Sequence, residues 1–270
     1  MSNRQFAEKL LQGPWPWLVT ASLAGWAAML GAPAQLMLPA FCGSVATRVS
    51  DGLWTAWSLA LTIDPLGLLL AWLLMLLAMM PLLLGSPLGY VWQRSLPRRR
   101  PLALALFLLG YCTVWIGAGV VIALLSVTAQ LLAGDNTWSM LAVVCALALL
   151  WQASPAKQHS LNHCHYPPRI SAFGWPMARD CLNYGLSNGF WCIGACWPAM
   201  LLPSLVQQGH SALMLACMLW LAYERLLSAR PAKWRWPLPR LKRLAANATP
   251  LKKSSFNRGK PMVSGIPARD

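Results

Sequence analysis

Long apolar runs without charge are the feature that most constrains this chain. The segment "LGLLLAWLLMLLAMMPLLL" at 66–84 contains no charged residue, and a helix needs about 20 apolar residues to cross the hydrocarbon core of a bilayer. Hydrophobic residues make up 57% of the 270 residues and charged residues 11%, whereas soluble domains have about 25% charged residues. The sequence therefore predicts an all-α protein, a polytopic bundle of membrane helices.

Six segments are apolar over lengths that predict transmembrane helices. A shorter apolar run at 53–63 does not reach across a bilayer, so we expect it to lie in the interface or to re-enter the membrane. The first segment begins like a signal peptide, but its apolar character continues past the candidate cleavage position, and we expect it to be retained. The six predicted helices, the first kinked at Pro33, are 17–42, 66–92, 102–133, 138–153, 182–206 and 211–227.

Lysine and arginine fall on alternate connections between these helices. Four arginines lie in 94–100, between the second and third predicted helices, and Lys157, Arg169 and Arg179 lie between the fourth and fifth. Loops rich in Lys and Arg remain in the cytoplasm, so both termini are predicted to be cytoplasmic. The chain then spans the bacterial inner (plasma) membrane several times.

The sequence predicts three parts along the chain. Residues 1–65 hold the first helix and a connecting loop, residues 66–227 form a membrane domain with five transmembrane helices, and residues 228–270 form a tail. The tail contains eleven Lys or Arg and one acidic residue, which predicts a disordered cytoplasmic segment. Its charges favour the anionic leaflet or only fix the topology, so the bilayer is the expected partner and nucleic acid is not.

The stretch "HSLNHCHYPP", which begins at His159, concentrates three of the four histidines of the chain beside a cysteine. The Ser-Pro pair at 154–155 is a helix-start signal, and a short helix after it would place His159 and His163 on one face. Cys164 and His165 would lie at its end. Imidazole and thiolate together suit copper, zinc or nickel; the alternative is an interfacial loop whose histidines meet phosphate or solvent.

The fifth predicted helix contains a second set of metal-ligand side chains, in "GLSNGFWCIGACWPAML" at 185–201. Cys192, Cys196 and Met200 follow one another at intervals of four residues, which makes a stripe of sulfur along one helical face. Two thiolates and a thioether suit Cu(I). Gly185 and Gly189 continue the stripe and would allow another helix to approach closely. The alternative is that the sulfur side chains only fill the membrane core.

Methionines in the second predicted helix complete the set of candidate ligands. Met79 and Met80 lie in "MLLAMMP" at 75–81, where thioethers could pass a Cu(I) ion along or simply pack. The sequence contains no Walker loop, no dinucleotide-binding glycine pattern and no HExxH zinc motif. Only seven acidic residues occur, and none pairs within a predicted span as a proton relay requires.

Four motifs in the same order resemble those of a known bacterial family. They are "AWLLMLLAMMP" at 71–81, "AKQHSLNHCHYPP" at 156–168, "GLSNGFWCIGACW" at 185–197 and "ER" at 224–225. Together they are similar to the predicted metal-binding integral membrane proteins (domain of unknown function 2182), some of which are described as copper chaperones. The resemblance covers about 66–227 and implies that this part is a metal-binding membrane domain.

The resemblance also indicates which residues match the family pattern and where the chain departs from it. His163 and Cys164 match the loop of the family, but Ser160 stands where a cysteine is usual, and His159 and His165 flank that position. The last helix lacks the Asn that commonly follows a Met in the family. The glycine-cysteine helix matches at Gly185, Gly189, Cys192, Gly194, Cys196 and Trp197.

These observations predict a membrane protein that binds a soft metal, with Cu(I) as the first candidate and zinc as the second. Its function would be metal delivery or translocation in metalloenzyme assembly, with a metallochaperone or a metalloenzyme as partner. One alternative is a metal-free membrane scaffold or assembly factor acting through helix–helix contacts. Another is an enzyme with haem held by His163 and His165, and we rank a non-enzymatic role first. The predicted ligands are Cys192, Cys196, His163, Cys164, His159, His165, Met79, Met80 and Met200.

Overall fold

The computed structural model describes residues 13–31, 52–62, 64–133, 136–171, 173–206, 208–227 and 231–234. The chain divides into two units, 1–236 and 237–270, and the second lies outside the described residues, as do the predicted kink at Pro33 and most of the predicted disordered tail. All regular structure in the described part is helical, in agreement with the predicted fold class. Apart from a 3₁₀ turn at Pro97–Arg99, it consists of α1 (Trp15–Gly31), α2 (Leu53–Thr62), α3 (Pro65–Leu83), α4 (Gly85–Arg94), α5 (Arg100–Ala133), α6 (Thr137–Ala153), α7 (Pro155–His163), α8 (Gly174–Leu205) and α9 (His210–Leu226).

The second predicted helix is divided at Leu84 into α3 and α4, and two prolines explain the break. Pro81 lies inside α3, and the Leu84 N–H donates to both the Met80 and the Pro81 carbonyls, at 3.1 and 3.2 Å. Pro87 has no N–H to donate to the Leu83 carbonyl one turn earlier. The interruption therefore leaves the Leu83 carbonyl available to a donor from elsewhere in the fold.

The fifth predicted helix is longer than apolar content indicated, because α8 begins at Gly174 rather than near 182. Its first two turns contain the charged residues Arg179 and Asp180, and they connect to the preceding loop. The Asp180 carboxylate accepts hydrogen bonds from the Ser171 hydroxyl and N–H, at 2.6 and 2.9 Å. These bonds lower the pKa of Asp180 below its ordinary value. Hydropathy marks only the apolar part of a helix, so it missed this extension, which contains two adjacent charged residues.

Two helical segments of the described chain are long and apolar enough to cross a membrane: Pro65–Leu83, and Pro97–Ala133, which includes the 3₁₀ turn. A third candidate is the pair Trp138–Ala153 and Pro155–His163, which is bent by 63°. Helices α1 and α9 have 17 residues each, about 26 Å at 1.5 Å per residue, which is shorter than the hydrocarbon core of about 30 Å. The structure thus contains two to three candidate spans, while the count of six and the cytoplasmic termini stay predictions.

Helix α8 is central to the bundle, since it packs on α5, α6, α7 and α9. Its closest approach is to α5, where a Cβ added to Gly185 would lie 2.1 Å from the Phe107 carbonyl oxygen. A Cβ on Gly189 would lie 3.1 Å from Val114 Cβ. The close-approach face predicted from the two glycines is therefore confirmed. Because both residue numbers increase together along the contact, α5 and α8 run parallel.

Candidate metal centre

Two buried sulfur atoms, one from α3 and one from α8, contact the same tyrosine, and a third lies one turn further along α8. Cys192 and Cys196 of α8 are 1% and 2% exposed, and Met80 of α3 is 3% exposed. The Tyr111 hydroxyl of α5 donates to Met80 Sδ at 3.2 Å and lies 3.4 Å from Cys192 Sγ. A tyrosine hydroxyl has one hydrogen to donate, so the Cys192 thiol is the donor in the second contact. We call Met80, Cys192 and Cys196 the sulfur cluster.

The two cysteines of the sulfur cluster are positioned relative to each other by their common helix. The Cys196 thiol donates to the Cys192 carbonyl at 2.9 Å, one turn earlier. Pro198 has no N–H for the Gly194 carbonyl, and the Trp151 indole N–H of α6 donates to that carbonyl instead, at 3.0 Å. Pro198 thus lies inside α8 without leaving this carbonyl unpaired, because α6 supplies the replacement donor.

Arg225, in the last turn of α9, and Tyr111 are two residues near the sulfur cluster that the sequence did not mark as candidates. The Arg225 guanidinium lies close enough to Cys164 and Cys192 for its charge to act on both thiols. Its Nη1 lies 3.5 Å from the Leu83 carbonyl oxygen, a long hydrogen bond. This is the carbonyl that Pro87 leaves without a helical donor.

One signal in the sequence pointed to Arg225: the dipeptide "ER" at 224–225 is one of the four ordered motifs. The neighbouring Glu224 forms an ion pair with Lys157 of α7, and both side chains are largely buried. The carboxylate next to Arg225 in the chain is therefore already paired with Lys157. With that carboxylate engaged elsewhere, the thiols of Cys164 and Cys192 are groups on which the guanidinium charge acts.

The short helix predicted from the Ser-Pro pair is confirmed as α7. Ser154 is its N-cap and accepts from the Lys157 N–H at 3.2 Å. Cys164 follows the helix as its C-cap and is half-buried. Burial raises the pKa of the Cys164 thiol to about 11, and the nearby Arg225 opposes that shift. Cys164 is thus linked to the sulfur cluster through the guanidinium.

His159 and His163 do share one face of α7, as predicted, with ring centroids 4.3 Å apart. Both are exposed, and the His163 ring stacks on Trp191 at 4.2 Å. His163 Nδ1 lies 3.0 Å from the His159 carbonyl oxygen. Because Cys192 is buried and this pair is exposed, the structure does not bring them together around a single ion.

The remaining predicted ligands occupy three different environments. Both ring nitrogens of His165 face carbonyl oxygens, those of Leu161 at 2.8 Å and Arg225 at 3.2 Å, so metal binding there would require one of these contacts to break. Met79 is 1% exposed and Met200 is fully buried one turn beyond Cys196. Within the described ranges, no three His, Cys, Asp or Glu side chains are grouped so that they could hold a metal ion.

The family comparison bears directly on this arrangement. Residues 69–238, more than half of the chain, match the family model described as "PpoB2: Copper chaperone". The chain belongs to this copper chaperone family. The matched segment contains the sulfur cluster, Tyr111, Cys164 and Arg225. Membership supports a copper-related role and favours copper over zinc. No curated protein matches the chain, and no solved structure does.

Proposed function

We propose that this member of the copper chaperone family is an integral membrane protein of the bacterial inner membrane that binds Cu(I) at the sulfur cluster. The observation that supports this proposal best is the hydroxyl of Tyr111, which contacts Met80 and Cys192 together and so joins sulfur atoms from α3 and α8. Thiolate and thioether sulfur are soft ligands that suit Cu(I). The metal is the cargo of the protein, and delivery to a metallochaperone or metalloenzyme partner completes the proposed role.

Binding of Cu(I) would use the chemistry of the two thiols of α8. Cys192 and Cys196 would each lose a proton, because the thiolate is the form that ligates a metal. Met80 would add a neutral thioether. With the Cys192 proton gone, the contact with Tyr111 can reverse, so that the hydroxyl donates to the thiolate. The low exposure of all three residues would keep water and oxidants away from the ion.

The candidate ligands outside the sulfur cluster support a transfer route rather than one shared ion. Exposure increases from the buried Cys192 through the half-buried Cys164 to the exposed His159 and His163. Cys164 and both histidines belong to α7 or its C-cap, which packs on α8. We infer that copper passes between the exposed histidines and the sulfur cluster by way of Cys164.

The test of the proposed function is the metal content of the purified full chain. Protein in detergent is loaded with Cu(I) under reducing conditions, desalted and measured by mass spectrometry beside a variant with Cys164→Ser, Cys192→Ser and Cys196→Ser. We expect copper near one equivalent in the wild type and a loss of it in the variant. Wild-type protein that retains no copper would contradict the proposal, and zinc in place of copper would move the site to the histidines.

The scaffold alternative depended on a glycine face available to another protein. The structure places that face against α5 of the same chain, where Gly185 meets Phe107 and Gly189 meets Val114. The glycines therefore serve internal packing. Metal handling remains the function that the described residues support best.

A matched pair of methionines tests the ligand assignment within α3. Met79 and Met80 are adjacent and equally buried, but Met80 has the contact with Tyr111. Leucine keeps the bulk of methionine and removes the sulfur. We expect Met80→Leu to weaken Cu(I) binding by about tenfold, since losing a thioether ligand should cost at least as much as losing a supporting contact. Met79→Leu should bind as the wild type does in competition with a Cu(I) chelator; equal losses in both variants would remove Met80 from the site.

A further inference from the structure

A partly buried cation near metal-ligand thiols has consequences for the charge of the metal that can be bound. The Arg225 guanidinium faces Cys164 and Cys192, while the adjacent carboxylate of Glu224 is engaged by Lys157. Charges in a low-dielectric interior interact strongly and are costly when unbalanced. The net charge of metal, thiolates and guanidinium together therefore determines which metals the site accepts.

The charge balance differs between monovalent and divalent ions. One Cu(I) ion with the thiolates of Cys192 and Cys196 carries a single negative charge, which the guanidinium of Arg225 neutralises. A divalent ion on the same two thiolates is neutral by itself, so the site with Arg225 would carry an uncompensated positive charge. Such a charge inside the bundle is unfavourable.

We propose that Arg225 is a specificity-determining residue that makes the sulfur cluster select a monovalent soft metal ion over a divalent one. This inference rests on the proposed Cu(I) function and deepens it, since it assigns the selection to a residue that does not ligate the metal. Two contacts hold Arg225 in position: its Nη1 reaches the Leu83 carbonyl, and its own carbonyl receives His165 Nε2.

The test compares Cu(I) with Cd(II), because both ions are soft and differ in charge. Their affinities for the full chain in lipid nanodiscs are measured by chelator competition, for the wild type, Arg225→Gln and Arg225→Lys. Losing one partner of a buried charge pair is costly, so the ratio of Cu(I) to Cd(II) affinity should fall at least about tenfold in Arg225→Gln. Arg225→Lys retains the positive charge and should keep most of the wild-type ratio.

A matched control separates local charge from total charge. Arg179 is an exposed arginine in the first turns of α8, so Arg179→Gln removes the same charge away from the sulfur cluster and should leave the ratio unchanged. An unchanged ratio in Arg225→Gln, or an equal fall in Arg225→Gln and Arg225→Lys, would overturn the proposal.

The wild type provides an independent measurement in case Arg225→Gln fails to fold. Ag(I) is soft and monovalent, so it should displace Cu(I) from the wild-type chain at concentrations where Cd(II) does not. Displacement by Cd(II) as readily as by Ag(I) would overturn the role of Arg225 while leaving the site itself intact. A wild type that binds no Cu(I) at all would instead contradict the proposed function.

Discussion

Cu(I) binding should be abolished by Cys192→Ser combined with Cys196→Ser and retained by His159→Ala combined with His163→Ala. A serine hydroxyl is a hard group that stays protonated at neutral pH, so it does not replace a soft thiolate ligand. The loss of affinity should exceed the roughly 10- to 100-fold change that accompanies removal of a residue supporting a ligand.

The histidine pair is the informative control because these histidines and the two cysteines were all predicted as metal ligands from the sequence. Its rings lie on Trp191 and are exposed, while the thiols are buried beside Tyr111. Equilibrium affinity measured with a Cu(I) chelator should therefore separate the two variants, although the histidine variant is expected to load copper more slowly. If the histidine variant lost equilibrium affinity and the cysteine variant did not, the metal centre would lie on α7 instead.

Gly185→Ala should destabilise the bundle severely, although alanine is the better helix former. The new Cβ would lie 2.1 Å from the Phe107 carbonyl oxygen, and a backbone atom in a packed helix pair cannot move aside as a flexible side chain does. Forced overpacking costs about 3 kcal/mol at the upper end of its usual range. The parallel pair of α5 and α8 would have to separate, which would also displace Tyr111 from Cys192.

Gly117 supplies the matched control on α5, since a Cβ there meets nothing within 4 Å. Gly117→Ala should be neutral or stabilising by about 0.5–1 kcal/mol, because alanine restricts the unfolded chain more than glycine does. Thermal unfolding of both variants in the same detergent, followed by circular dichroism, measures the difference. Similar midpoints for the two variants would show that the contact between α5 and α8 can relax.

The features that could be predicted from the sequence are those that lie within a single helix. The spacing of four between Cys192 and Cys196 placed them on one face, and the glycines that precede them marked the close approach to α5. The Ser-Pro pair at 154–155 correctly located the start of α7. Each of these signals depends only on helical period and local backbone chemistry.

Relations between distant helices were not predictable in the same way. Whether Met79 or Met80 faces the thiols depends on how α3 is rotated against α5, and adjacent residues on one apolar helix give no signal of that rotation. A charged side chain at a helix end, such as Arg225, is ordinary, and its contact with a carbonyl left free in another helix leaves no local pattern in the sequence. The division at Leu84 had a local cause in Pro81 and Pro87, but the apolar run concealed it.

The proposed copper site is assembled from segments that are far apart in the chain, and this has a consequence for biosynthesis. Met80 and Tyr111 are synthesised well before Cys192, and Arg225 follows last. Since α5 and α8 run parallel, the chain must first return through α6 and α7 before the thiols can reach Tyr111. An incomplete nascent chain that ends before α8 therefore lacks the thiol pair of Cys192 and Cys196, and one that ends before α9 lacks the guanidinium of Arg225.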